Sequence, residues 1–233
     1  MANDIRNNET KIVERPDISV VAYSLETKPK TSYPFQLIEY ITHDLIGLKS
    51  GVAVDLGCGR GDHTRALETL GFKAIGLDRE LPPGEPLTHH YVCDFAAGKI
   101  PLDDASVDLV FSKSVIEHLY YFELPNYMNE IKRILKPGGR VVLISPDWHY
   151  SWRQFFGGFT HCTPYTLGSL QHCLRVYGFK NIQGISLIQL PIVWRSKLFR
   201  ILSNVTLYLP LPRKGKWIRW SKERQSLVIG KKA

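Results

Sequence analysis

Val52-Ala53-Val54-Asp55-Leu56-Gly57-Cys58-Gly59-Arg60-Gly61-Asp62 carries a β-branched strand (52–56) directly into three glycines at alternate positions, and then into a helix expected over about 62–70. Glycine has no Cβ and tolerates positive φ, so amide groups in such a turn can face a ligand without a steric wall. The helix that follows favours negative charge at its N-terminus. In an open α/β sheet the ligand lies outside the carboxyl ends of the strands, where their order reverses. A glycine turn alone also serves as a plain strand–helix connection, so its surroundings matter. Here the next strand (73–78) ends on Asp78, a carboxylate able to accept from both hydroxyls of a ribose. A weaker strand (89–94) ends on Asp94-Phe95, which offers an acceptor for an adenine amino group and a ring face for its base.

Outward from this turn, strands and helices alternate. Residues 34–48 place Phe35, Leu37, Ile38, Ile41, Leu45 and Ile46 at helical spacing. Strands are expected at 106–112, 140–145, 182–190 and 226–232. Helices are expected at 123–135, stopping at Lys136-Pro137-Gly138-Gly139, and from a Thr163-Pro164 cap to about Tyr177. The pattern predicts an α/β fold, with seven strands in a mostly parallel sheet and helices on both faces. One domain fits 233 residues, divided into a lead or lid (1–33), a cofactor-binding core (34–190), an insert (191–225) and a final strand (226–233).

Composition excludes disordered and collagen-like classes: 44% of residues are hydrophobic and 22% charged. Four cysteines are too few and too scattered for a disulfide framework. Residues 1–17 are polar and lack the apolar core of a secretory signal, and the apolar stretch 201–212 is too short to span a bilayer, so a cytoplasmic location is expected. The net charge of +8 is uneven. Eleven Lys and Arg against one Glu give 191–233 a charge of +10, leaving −2 for the rest. Such a block suits a phospholipid surface, a phosphorylated molecule or nucleic acid, or is simply a solvated face.

Four signatures in order resemble the class I S-adenosylmethionine-dependent methyltransferases, in their small-molecule branch. They are VAVDLGCGRG, IPLDDASVDLVFSKSVIEHL (100–119), ILKPGGRVVLISP (134–146) and FTHCTPYTLGSLQHCLRVYGFKNI (159–182), together covering about 50–190. The resemblance implies a Rossmann-like sheet whose last strand is antiparallel, and S-adenosyl-L-methionine as cofactor. Gly57, Gly59 and Gly61 would lie against its methionine part, with Asp55 ordering the loop. Asp78 would bind the ribose, Asp94 and Phe95 the adenine, and Ser112 would sit near the methyl group. A nicotinamide-dependent oxidoreductase fits less well, because the turn is G-x-G-x-G and not G-x-G-x-x-G.

Methyl transfer is an in-line displacement that needs alignment and, for a hydroxyl acceptor, a base. His118 and His161 are the candidate catalytic residues, with His149 and Asp147 behind them; each could equally be a structural side chain. No metal is expected: the pairs His161-Cys162 and His172-Cys173 lack the compact spacing of a zinc site. The expected reaction is O-methylation of a small or glycan-type acceptor. N- or C-methylation of a lipid, quinone or other metabolite, and a cofactor-binding but inactive partner protein, remain the alternatives.

The insert departs from the family. Trp194, Leu198, Ile201, Leu202, Val205 and Leu209 fall on one helical face, with Arg195, Lys197 and Arg200 off it. Two readings stand: the stripe packs on the domain and caps the acceptor pocket, or 192–220 touches an anionic membrane, which suits a lipid-linked acceptor. Nucleic acid fits less well, for no recognised binding module is present. The lead, with Tyr23, Tyr33 and Phe35, could fold over the cofactor.

Overall fold

The computed structural model of the chain describes residues 31–80, 87–212 and 215–233. Seven strands form one sheet: β1 Gly51–Leu56, β2 Phe72–Asp78, β3 His90–Val92, β4 Val107–Lys113, β5 Leu135–Pro146, β6 Lys180–Ile188 and β7 Arg224–Lys231. Their order is β3-β2-β1-β4-β5-β7-β6, and only β7 runs antiparallel to its neighbours. This is the expected Rossmann-like architecture.

Central strands are apolar without alternation because both faces are covered. Val54, Val110, Val141 and Leu143 point to the face packed by α3 (Leu124–Ile134) and α5 (Leu167–Val176). Ala53, Leu109, Val142 and Ile144 point to the other, packed by α1 (Tyr33–Glu39), α2 (Asp62–Thr69) and α6 (Pro191–Arg195). Beyond these lie α4 (Trp148–Phe155), α7 (Lys197–Tyr208) and α8 (Lys216–Lys222).

Several expectations change in detail. The helix read over 34–48 is α1 followed by a π-turn, Tyr40–Leu45, where the Ile46 amide reaches back five residues to the Ile41 carbonyl at 3.1 Å. Lys136-Pro137-Gly138-Gly139 does not follow α3 as a loop but opens β5. Its register slips against β4 between Val107 and Leu109. A Cβ on Gly139 would meet the Lys136 carbonyl oxygen at 2.9 Å, so the slip needs glycine there. Thr163-Pro164 does not start α5. Thr166 does, through a capping box in which the Ser169 hydroxyl accepts from the Thr166 amide at 2.8 Å. Thr163 instead donates its hydroxyl to the Leu119 carbonyl at 2.6 Å.

The insert is not one helix. The chain turns extended at Ser196, which caps α7, and Trp194 points inward. Its indole donates to the Ile188 carbonyl at 2.7 Å and stacks on Tyr40 at 5.1 Å. The rest of the stripe does not pack on the domain: Leu198, Ile201, Leu202, Val205 and Leu209 are all exposed. Of the lead, Tyr23 lies outside the described residues, whereas Tyr33 and Phe35 pack against the α1–α2 face of the core.

Candidate functional site

The glycine turn leaves β1 beside the end of β2. Gly57, Gly59 and Gly61 all take positive φ, at 80°, 51° and 75°. The amides of Gly57 and Cys58 both donate to the Leu77 carbonyl, at 2.7 and 3.1 Å, which clamps the turn onto β2. One Asp78 carboxylate oxygen accepts from the Gly59 amide at 2.7 Å, and the other from the Arg79 amide at 2.8 Å. Asp78 therefore holds the turn while remaining partly open at the sheet rim. Asp94 is exposed, accepting from the Ala96 amide at 3.0 Å and the Arg79 guanidinium at 3.1 Å.

Asp55 works from below. It is fully buried, and the Thr64 hydroxyl of α2 donates to it at 2.7 Å, tying the strand to the helix across the turn. Burial pushes its pKa up to about 7; the Thr64 bond lowers it and the Asp78 charge raises it further.

Two sequence candidates have other work. Phe95, expected to offer its ring to a base, is 4% exposed and packs in the core, 6.0 Å from the Tyr127 ring. Ser112, expected near the methyl group, is buried with its hydroxyl spent. It donates to the Leu56 carbonyl at 2.8 Å and accepts from the Tyr127 hydroxyl at 2.8 Å. Ser112 thus braces the residue that precedes Gly57. Asp147 is likewise structural: it caps α4 by accepting from the His149 amide at 3.0 Å, and accepts from the Ser226 hydroxyl at 2.8 Å, while the His149 ring is exposed.

The loop after β4 starts against the turn. A Cβ on Gly57 would collide with Val115 Cγ2, so the glycine lets these two segments touch. Two residues on, Glu117 and His118 form a short 3-10 turn. The distant loop before α5 is strapped to it by backbone bonds. The amides of Cys162 and Thr163 donate to the Glu117 carbonyl at 2.9 and 3.1 Å. The strap brings His161 edge-on to His118, with ring centroids 4.7 Å apart. So the two histidines singled out by sequence do meet.

His161 has a defined tautomer. Its Nδ1 lies 2.7 Å from the Phe155 carbonyl, which can only accept, so Nδ1 carries the proton and Nε2 keeps its lone pair in the neutral ring. Burial lowers its pKa and holds it neutral. Under the pair lies Glu117, fully buried, its oxygens without hydrogen bonds of ordinary geometry to the described residues. Burial pushes Glu117 up to about 7, against smaller opposing effects of its own backbone, Lys113 and Ser145. Single ligand atoms of Glu117, His118 and His161 all lie within 4.8 Å of one another, a spacing that could hold a metal ion. Both histidines are legible in the sequence, whereas Glu117 joins them only through the strap between the two loops.

Residues 54–143 match a family described as a methyltransferase domain. Among curated proteins, a probable S-adenosylmethionine-dependent methyltransferase of Mycolicibacterium smegmatis is 32% identical over 98 residues, covering 40% of this chain and 37% of that protein. A malonyl-[acyl-carrier protein] O-methyltransferase of Serratia marcescens is 33% identical over 99 residues, covering 40% and 36%. The chain thus aligns with little more than a third of the length of these relatives. Among solved structures, a SAM-dependent methyltransferase from Archaeoglobus fulgidus superposes with a TM-score of 0.61 at 20% identity, over 85% of this chain and 94% of the other. The Burkholderia thailandensis 1,6-didemethyltoxoflavin-N1-methyltransferase, bound to S-adenosylhomocysteine, gives 0.59 at 16% identity, over 86% and 78%.

Proposed function

We propose, from the match of residues 54–143 to a methyltransferase domain and from the fold, that the chain is a class I S-adenosylmethionine-dependent methyltransferase and that it methylates an oxygen nucleophile beside the His118–His161 pair. The rim of the sheet suits the cofactor. Three positive-φ glycines shape the turn, with Gly59 and Gly61 buried and the Gly57 and Gly61 Cβ positions backed by Val115 and Leu87, and Asp78 and Asp94 keep carboxylates open to solvent beside it. Asp78 would take the ribose and Asp94 the adenine, with Gly57, Gly59 and Gly61 along the remainder. The cofactor supplies an electrophilic methyl group on positively charged sulfur.

The protein's own chemistry is then proton removal and alignment. The oxygen of the acceptor forms a bond to the methyl carbon as the carbon–sulfur bond breaks, and the hydroxyl proton must leave. A neutral imidazole with a fixed tautomer can take it. The single observation that carries this reading is His161 Nδ1 held on the Phe155 carbonyl, which reserves Nε2 as the acceptor. Glu117 beneath the pair would favour the imidazolium once formed. The acceptor itself would be a small molecule, a glycan or a lipid-linked molecule.

The test is to incubate the protein with methyl-labelled S-adenosylmethionine and panels of hydroxyl, carboxyl and amine acceptors. Transfer to oxygen is expected, falling roughly 100-fold or more in His161→Ala, the usual worth of a positioned base. Transfer to nitrogen or carbon alone, or a His161→Ala rate equal to wild type, would refute the base assignment. Cofactor binding with no transfer across the panel would favour a binding partner over an enzyme.

One observation favours a second reading. The Glu117–His118–His161 spacing fits a divalent ion, which would polarise the acceptor oxygen in place of a base. Calorimetry with zinc or manganese, and transfer assays after chelation, separate the two: chelation leaves base catalysis intact and abolishes metal-assisted transfer.

A further inference from the structure

Helix α7 turns its apolar stripe outward. Leu198, Ile201, Leu202 and Val205, with Leu209 just past its end, recur at helical spacing and are 43–63% exposed, and Tyr208 beside them is 85% exposed. The opposite side is already occupied. Phe199 packs with Trp217 at 5.7 Å, and the Ser203 and Ser221 hydroxyls meet at 3.2 Å between α7 and α8. Among the described residues, none closes over the stripe.

Charge says what it faces. From Lys197 to Glu223 the sequence holds seven Lys and Arg against one acid, Glu223, which pairs with Arg219 at 3.1 Å. A second copy laid symmetrically on this stripe would set one basic flank against another. An anionic bilayer complements both features at once: an apolar stripe enters the boundary of headgroups and chains, and cations at its edges meet the lipid phosphates. No described helix is long and apolar enough to cross a membrane, so contact would be from one side.

Position says why. The insert leaves β6 and rejoins β7 at the carboxyl end of the sheet, where Ile188 pairs with Arg224 and Pro146 with Gln225. That is the rim bearing the glycine turn and the histidine pair. A cavity of about 460 Å³ separates α4 from the insert, lined by Tyr150, Trp152, Arg153, Leu207, Leu211 and Lys222. On its far side α4 ends at Phe155, whose carbonyl holds His161.

We propose that α7 and its basic flanks seat the protein on an anionic phospholipid surface, with the acceptor rim facing that surface. This draws on the methyltransferase reading only for the use of the rim; the docking itself is tested without turnover. The full chain is floated with vesicles of phosphatidylcholine alone or with one-third phosphatidylglycerol. Binding at least tenfold tighter to the anionic vesicles is expected, weakening as salt rises and lost tenfold or more in Ile201→Asp/Val205→Asp. Both positions are exposed, so that variant keeps its melting temperature and its stabilisation by S-adenosylhomocysteine. Absence of vesicle binding by the wild type, or equal binding by the variant, overturns the proposal. So does light scattering that shows a dimer broken by the same variant without vesicle binding, which would make the stripe a self-interface. Loss of transfer activity alone bears on the methyltransferase reading and not on the docking.

Discussion

Asp78 holds two amides of the chain and still opens to solvent, so a ligand's hydroxyls would compete with the Gly59 and Arg79 amides or add to them. Its removal tests the proposed ribose contact. S-adenosylhomocysteine at a hundred times its dissociation constant should stabilise the wild type by about 2.7 kcal/mol. Asp78→Ala should lose most of that in a thermal-shift titration, and an undiminished shift would put the ribose elsewhere. Gly158 gives a finer test on the acceptor side. A Cβ there would sit 2.8 Å from His161 Cε1 and Nε2, and its φ is unstrained for alanine. Gly158→Ala should therefore displace the ring, lower transfer by tenfold or more and leave the homocysteine shift intact. A nitrogen NMR spectrum still showing the Nδ1–H tautomer at full rate would mean the ring had room. These residues also mark what sequence can reveal. That Asp55 and the glycines share one turn was legible because one short stretch sets their geometry. Glu117 beneath His161 was not, because backbone bonds between two distant loops create that neighbourhood. Phe95 and Ser112 are buried beside Tyr127 of α3, a neighbour that no local stretch announces.

At the level of elements, α3 shows how a helix is fixed by what it covers. Leu124, Tyr127, Met128, Ile131 and Ile134 are buried along one side, while Lys132 and Arg133 stand at its last turn, where cations suit the dipole. Arg133 extends outward to Glu130, Asp104 and the carbonyls of Ile100 and Leu102, anchoring the loop before β4. Ile131 is wholly buried among these neighbours. Ile131→Ala should cost about 2–5 kcal/mol in chemical denaturation through lost burial and the cavity left behind. A cost below 1 kcal/mol would mean that α3 can settle into the space. Strand and helix existence followed from apolar periodicity, so most elements were readable. Their ends were less so, since Thr166 outcompetes Thr163 as a cap only because Thr163 is drawn to Leu119. The insert was legible as amphipathic, but which side faced inward depended on Ser196 breaking the helix and sending Trp194 to the core.

Across the whole molecule, two buried carboxyls on either side of the site link its chemistry to stability. Asp55 and Glu117 keep their protons up to about 7 in the fold, whereas an unfolded chain gives them up near ordinary carboxylate values of about 4. Between those limits the folded state binds more protons, so stability falls as pH rises, and the loss is complete once pH passes the folded values. His63 and His161 act oppositely. Burial lowers both, His63 to about 3, so the unfolded chain binds their protons more readily below about 6.5 and stability rises with pH up to that point. Above it the histidine contribution is spent and the carboxyls dominate. The melting temperature of the ligand-free protein should therefore decline from pH 6.5 to 8. Glu117→Gln keeps the side chain's shape but has nothing to titrate, so its decline should be shallower and its melting temperature at pH 8 above that of the wild type. Parallel curves over that range would show that Glu117 ionises as a solvated carboxyl does. The His118–His161 pair would then have an anion beneath it throughout the neutral range, and the proton-accepting role would need no help from pH.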